Sequence, residues 1–288
     1  AGIELAALLE AHPFFNLVAV ASSSDVGTKL STYYPQLSES LGKKSLISLD
    51  EFINQDLDAA FLAVPHTTAF ELVHALVEKG IRVIDLSADY RLKDASAYGV
   101  THPYPEMAVN AAYGLTEWKR AQIQGAMLVA NPGCYPTAVS LACLPAYMDG
   151  LTNPDSVLVA SAVSGYSGAG KKACQAHGYA VSDEALHPYK ALTHQHIPEI
   201  SQTLSQAAAT SIALAFTPHI ASYKRGILAS CFIPLKETTT PDMVKRSYIE
   251  AYAAESFIEL LPWGEMPDVA HVRGTNIAQL GLSYDKSN

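Results

Sequence analysis

Cys134 is the residue on which chemistry is most readily built. It stands in Ala130-Asn131-Pro132-Gly133-Cys134-Tyr135-Pro136-Thr137, where an apolar strand-like stretch meets a Pro-Gly turn and then the helical pattern Tyr135 to Met148. Pro136 suits a first helical turn, where a missing N–H forfeits no bond. The spacing predicts a thiol at a helix N-terminus, where unpaired N–H groups and the helix dipole favour a thiolate. The same N–H groups can hold an oxyanion formed on an attacked carbonyl. Cys143, on the apolar side of the same stretch, and Cys231, in the strand-like run 230–235, read as packing residues. Cys174 has no base near it in sequence.

A nucleophilic thiol needs an acid or base partner, usually distant in sequence. Thr193-His194-Gln195-His196-Ile197-Pro198-Glu199 supplies two imidazoles that can move a proton at a reacting carbonyl, with Glu199 able to orient one of them. The same His-x-His plus Glu could hold a metal, but no further His, Asp or Cys cluster completes a shell, so no metal is expected. Ser164-Gly165-Tyr166-Ser167-Gly168-Ala169-Gly170-Lys171-Lys172 follows an apolar strand and reads as a loop whose N–H groups can approach a phosphate. It is neither a P-loop nor a G-x-G-x-x-G fingerprint. Lys224-Arg225-Gly226 and Arg273-Gly274-Thr275-Asn276 are further candidate anion contacts.

The elements that must position these residues change character along the chain. Gly2 to His12 reads as an amphipathic helix stopped by Pro13. Asn16 to Ala21, Asp58 to Val64, Val83 to Leu86 and Met127 to Ala130 read as short buried strands, with a helix over Ala69 to Lys79. That alternation predicts βαβ units and a parallel sheet, with ligands at the carboxyl ends of the strands. From about Leu151, Ser156 to Val163, Ile212 to Phe216 and Ile227 to Pro234 read as longer strands of an antiparallel or mixed sheet, and Pro241 to Ala254 as a helix. The 288 residues are 49% hydrophobic and 16% charged, which suits a large core and two domains. A net charge of −9 with no basic face argues against nucleic acid but not against a small anion. No apolar run is long enough to span a membrane, and four cysteines without paired spacing do not form a disulfide framework. A reducing cytoplasm is the expected compartment.

Together these stretches resemble the N-acetyl-γ-glutamyl-phosphate reductase family over nearly the whole chain. The resemblance is carried by VIDLSADYRL (83–92), AAYGLTEW (111–118), ANPGCYPTA (130–138), SGYSGAGKKA (164–173), HQHIPEI (194–200), FTPHIASYKRGIL (216–228) and VRGTNIAQLGL (272–282). It implies an α/β fold: a Rossmann-like parallel-sheet NADP-binding domain over 1–133, and an α+β catalytic and dimerisation domain with a mixed sheet over 134–288. It implies reduction of N-acetylglutamyl 5-phosphate by NADPH to the 5-semialdehyde, with release of phosphate, in arginine biosynthesis. Cys134 would form a thioester, with His194 as the acid/base histidine and His196 beside it. Gly2, Ser22, Ser24, Pro65, His66, Ser164, Gly165, Gly168 and Asn276 would meet NADP(H). In that assignment Ser22 and Ser24 face the 2′-phosphate and Asn276 the nicotinamide. Asn131, Ser167, Glu199 and Arg225 would contact the acyl phosphate. A homo-oligomer, dimer or tetramer, is expected.

The sequence departs from the family pattern at both ends. A first strand and Gly-rich phosphate loop are expected ahead of the helix at Ala1-Gly2, and a last strand and helix after Asn288. Either the native ends lie outside these residues or the cofactor site lacks its phosphate loop. Other readings of the same residues are reduction of a related acyl phosphate (aminoadipyl or aspartyl), a cofactor-free thiol hydrolase or acyltransferase, and a non-catalytic binding or assembly protein. The alternating cofactor-type domain argues against the hydrolase.

Overall fold

The computed structural model describes residues 1–35, 37–169 and 185–285. Lys171, Lys172 and Cys174 lie outside the described residues. The chain divides into two compact units, Ala1–Pro132 and Gly133–Asn288.

The first unit carries α1 (Gly2–Glu10), α2 (Glu39–Lys43), α3 (Leu49–Ile53), β1 (Ala59–Leu62), α4 (Phe70–Glu78), β2 (Arg82–Asp85), α5 (Pro105–Asn110), β3 (Ala112–Tyr113), α6 (Thr116–Gln124) and β4 (Leu128–Ala130). Its sheet has the order β1-β2-β4-β3 and is parallel throughout. Leu72, Val73 and Leu76 form one stripe of α4 and pack on Leu62, Val83 and Leu128 of the sheet. Gly80, at φ +77°, follows the end of that helix.

One expected strand is absent. Residues 16–20 form no ladder, and Ala21 makes a single parallel bridge with Ile47. An apolar, β-branched stretch becomes a strand only where a neighbour completes its hydrogen bonds. Here the space that a neighbour would fill is a cavity of about 460 Å³, lined by Leu5 and Leu9 of α1, Leu17 to Ala21, and Ala59 to Leu62 of β1.

The second unit carries α7 (Cys134–Met148), β5 (Leu158–Gly165), β6 (Leu186–Pro188), α8 (Ile197–Ala208), β7 (Leu214–Ala221), β8 (Ile227–Phe232), α9 (Pro241–Tyr252), β9 (Ile258–Leu260), α10 (Val269–Val272) and β10 (Ala278–Leu280). The larger sheet is mixed, in the order β6-β7-β5-β8. β5 and β7 are parallel and both outer pairings antiparallel. Leu158, Ala160 and Ala162 are buried, and α7 packs on β8 and α8. Val159 and Phe232, directly paired across β5 and β8, stay 44% and 67% exposed. The fold is thus the expected α/β architecture of a parallel-sheet unit and a mixed-sheet unit.

α7 contains Pro145, which cannot donate to the Leu141 carbonyl one turn back. The Tyr252 hydroxyl of α9 donates to that carbonyl at 2.6 Å, and Tyr248 donates to Ala142 O at 2.5 Å. Two tyrosines thereby repair the ladder where the proline opens it.

Candidate active site

α7 starts at Cys134, with Gly133 in extended backbone as its N-cap and no side chain capping it. The N–H groups of the first turn are left for a ligand. The Cys134 side chain is exposed, whereas Cys143 further along the helix is buried and hydrogen-bonded to Cys231. That contact and burial both push the Cys143 thiol up, away from a reactive thiolate.

Glu199, wholly buried in the first turn of α8, accepts the Gly133 N–H at 2.8 Å through Oε1. The carboxylate ties the residue before the thiol to the helix that follows the histidines. Sequence spacing alone suggested an imidazole as its partner. The backbone of a Pro-Gly turn, 66 residues away, leaves no pattern in the sequence.

Both histidines are buried. The His194 ring meets Tyr135 at 5.6 Å, Tyr189 at 5.5 Å, Phe216 at 5.7 Å and His196 at 4.7 Å between centroids. Its Nδ1 accepts the His196 backbone N–H at 3.1 Å. Burial first, and the nearby Lys190 charge second, lower its pKa to about 4. Tyr135, next to Cys134, donates its hydroxyl to His219 O at 3.1 Å and accepts from Tyr189. Thiol, histidines and tyrosines therefore share one buried aromatic neighbourhood with a single exposed nucleophile.

The Gly/Ser-rich stretch requires a correction. It is the end of β5 and a short 3₁₀ turn, not an open phosphate cradle. The N–H groups of Gly165, Tyr166 and Ser167 donate to the carbonyls of Gly226, Tyr223 and Lys224, so they are spent on the turn that carries Arg225. A Cβ at Gly165 would stand 2.7 Å from the Lys224 carbonyl and from Arg225 N, which explains the glycine. Ser164 donates to Gly165 O, and a Cβ at Gly168 would meet its Oγ. Arg225 is exposed. Asn276, also exposed, lies between α10 and β10. Val269 of α10 packs where Gly226 lacks a side chain.

In the first unit, the loops after β1 and β2 are fixed together at the carboxyl ends of their strands. His66 Nδ1 accepts Ala88 N–H at 2.8 Å, and Asp89 takes the N–H groups of Thr67 and Ala69 at 2.7 and 3.0 Å. Thr67 holds a left-handed φ of +65°, a strained conformation for a β-branched residue. Asp85, wholly buried, accepts from Ser87, and burial raises its pKa. Arg91 donates Nε to Asn131 O and a second N–H to Leu86 O, both at 2.7 Å. This Asp85-Ser87-Asp89-Arg91 series is a positioning network that single-residue reading missed. Its signal was available: polar residues at every second position directly after an apolar strand. Ser22 and Ser24 are partly engaged locally, since Ser24 donates its N–H to Ser22 Oγ and its hydroxyl to Asp25. Gly2 opens α1 beside Ala63, just past β1.

Residues 134–288 match the model of the semialdehyde dehydrogenase dimerisation domain, and residues 1–126 that of the semialdehyde dehydrogenase NAD binding domain. The chain is 41% identical over 293 residues to an N-acetyl-gamma-glutamyl-phosphate reductase of Dehalococcoides mccartyi, covering all of this chain and 83% of that protein. It is 38% identical over 289 residues to one of Magnetococcus marinus, covering 99% and 82%. The chain belongs to the N-acetyl-gamma-glutamyl-phosphate reductase family. This reductase shares its fold with aspartate semialdehyde dehydrogenase II of Vibrio cholerae, with a TM-score of 0.67 at 16% identity over 97% of this chain and 83% of that one. It also shares it with the aspartate semialdehyde dehydrogenase of Candida albicans, at 0.65 and 16% over 94% and 82%. Among the described residues no helix of this reductase is long and apolar enough to cross a membrane.

Proposed function

We propose that this chain reduces N-acetylglutamyl 5-phosphate to N-acetylglutamate 5-semialdehyde through a thioester on Cys134. The observation that carries the reading is the exposed thiol on the uncapped first turn of α7, in a chain of this reductase family. Cys134 attacks the acyl carbonyl and the C–O bond to phosphate breaks. The first-turn N–H groups of α7 hold the oxyanion. Reduction of the thioester and collapse of the thiohemiacetal return the thiolate and free the aldehyde. His194 and His196 face this chemistry, and Asn131, Ser167, Glu199 and Arg225 form the acyl-phosphate side of the site.

The first unit is read as the NADP(H)-binding domain over 1–133 and the second as the catalytic and dimerisation domain over 134–288. NADPH, when bound, supplies the hydride. The residues present fit a dinucleotide: the start of α1 and the fixed loops after β1 and β2 gather at the carboxyl ends of parallel strands, where helix N–H groups favour phosphate. Gly2, Ser22, Ser24, Pro65 and His66 would hold it from the first unit, and Ser164, Gly165, Gly168 and Asn276 from the second. The two serine hydroxyls support the 2′-phosphorylated form, and a comparison of kcat/KM for NADPH and NADH tests that choice. The exposed Val159–Phe232 pair supports a homodimer closed over the outer face of the mixed sheet, which Phe232→Asp should split on sedimentation. Work on a small soluble metabolite suits the cytoplasm.

The deciding experiment is phosphate-dependent NADP reduction with N-acetylglutamate semialdehyde, in the wild type and in Cys134→Ser. NADPH formation that disappears in the variant supports the thioester route. No NADPH from the wild type overturns the reading.

A further inference from the structure

We infer that His194 is held as the neutral Nε2–H tautomer and serves as a fixed hydrogen-bond donor to the oxyanion formed beside Cys134, not as the base that takes the thiol proton. The inference rests on the acyl-phosphate reductase reading for its role, and on geometry alone for its tautomer. A backbone N–H can donate only to a lone pair, and the His196 N–H is directed at His194 Nδ1 at 3.1 Å. The proton of the neutral ring is therefore on Nε2. The arrangement is a local backbone device that the chain repeats: His12 Nδ1 accepts from Phe14 N–H at 3.2 Å, and His102 Nδ1 from Tyr104 N–H at 3.0 Å.

The surroundings keep the ring in that state. His194 is only 6% exposed, and Tyr135, Tyr189, His196 and Phe216 pack against it. The charge that bears on it is Lys190, of the same sign as an imidazolium. A proton accepted at Nδ1 would have to displace the His196 N–H and then sit as a buried cation. The ring thus has a proton to share and no site ready to receive one.

The reaction balances without such a transfer. Thiolate attack on the acyl phosphate gives an oxyanion that collapses as the C–O bond to phosphate breaks. The departing phosphate takes its proton from water. Reduction of the thioester gives a second oxyanion, which re-forms the carbonyl as the C–S bond breaks and returns the thiolate. At both oxyanions a neutral N–H donor is sufficient, and it remains protonated throughout.

The tautomer is read from ring nitrogen NMR of protein labelled with ¹⁵N-histidine, with His194→Asn assigning the signal. One ring should show its proton on Nε2 and should not titrate between about pH 5.5 and 8. A proton on Nδ1, or titration near the ordinary histidine value, overturns the inference. In parallel, the pH profile of Cys134 alkylation by iodoacetamide is compared between wild type and His194→Asn. The midpoints should coincide, while phosphate-dependent NADP reduction falls by about 10²–10³-fold, as expected for loss of one oxyanion donor. An alkylation midpoint that rises by about one unit or more in the variant makes His194 the partner of the thiolate and overturns the inference. If the wild type does not turn over, the reductase reading and the oxyanion role fail together, while the spectrum still decides the tautomer.

Discussion

Cys134 and Cys143 are the same residue type on the same helix, and their settings differ in every respect that governs thiol chemistry. Cys134 is exposed on an uncapped first turn, with unshared N–H groups around it. Cys143 is buried in the middle of α7, bonded to Cys231 and close to Tyr147 and Tyr248, whose hydroxyls are pushed up by burial first and by the two thiols after it. A helix offers a thiolate something only at its N-terminus, where the dipole and free donors are concentrated. The middle of the helix offers packing alone. Reactivity in this chain is assigned by position along one element rather than by residue type.

The sharpest break in the comparison is activity. Cys134→Ser should lower turnover by about 10⁴-fold or more, whereas Cys143→Ala should leave turnover nearly intact and cost about 1 kcal/mol of stability. Steady-state rates and thermal melts decide it, and comparable loss of turnover in both variants would dissolve the distinction.

Acid stability comes next, because the aromatic shell beside Cys134 also buries an imidazole. The folded-state pKa of His194, about 4, lies below the ordinary 6.5, so between those values the unfolded chain binds more protons. The stabilisation is fully present above about pH 6.5 and is lost as pH falls toward 4, on the order of 3 kcal/mol in all. Asp85, raised by burial, works in the opposite sense in acid. The quantity to measure is therefore the difference in unfolding free energy between wild type and His194→Asn across that range. A difference that does not change with pH would show that burial fails to hold the ring neutral.

Glu199→Ala should cost about 1–3 kcal/mol by stranding the buried Gly133 N–H. Glu199→Gln keeps an acceptor there and should recover most of that loss in chemical denaturation. Equal loss in both would mean that charge, not the bond to the turn, is what Glu199 contributes. The smallest expected effect is at the far end of α7. Tyr252→Phe removes the hydroxyl that satisfies the carbonyl exposed by Pro145 and should cost about 1 kcal/mol in denaturant unfolding, with turnover unchanged.

The parts legible in the sequence are those set by local chemistry. A strand, a Pro-Gly turn and an apolar helical run place Cys134 at the start of α7, and short apolar runs between helices give β1, β2 and β4. The parts that were not legible depend on distant partners. Residues 16–20 have strand composition but no ladder beside them. Glycines in 165–168 suggested open N–H groups, yet those of 165–167 are taken by carbonyls of 223–226. Glu199 finds a backbone partner, and Cys143 finds Cys231, only because α7 packs on α8 and β8. Composition tells what a group can bond; only the fold determines whether another group has reached it first.

The cavity between α1, residues 17–21 and β1 has a mechanical consequence. Pressure favours whichever state occupies less volume, and unfolding removes internal voids. With about 460 Å³ of such space against its sheet, the first unit is the compressible part of the molecule. Hydrostatic pressure should loosen that layer readily, and whatever fills the slot should raise resistance to pressure more than resistance to heat.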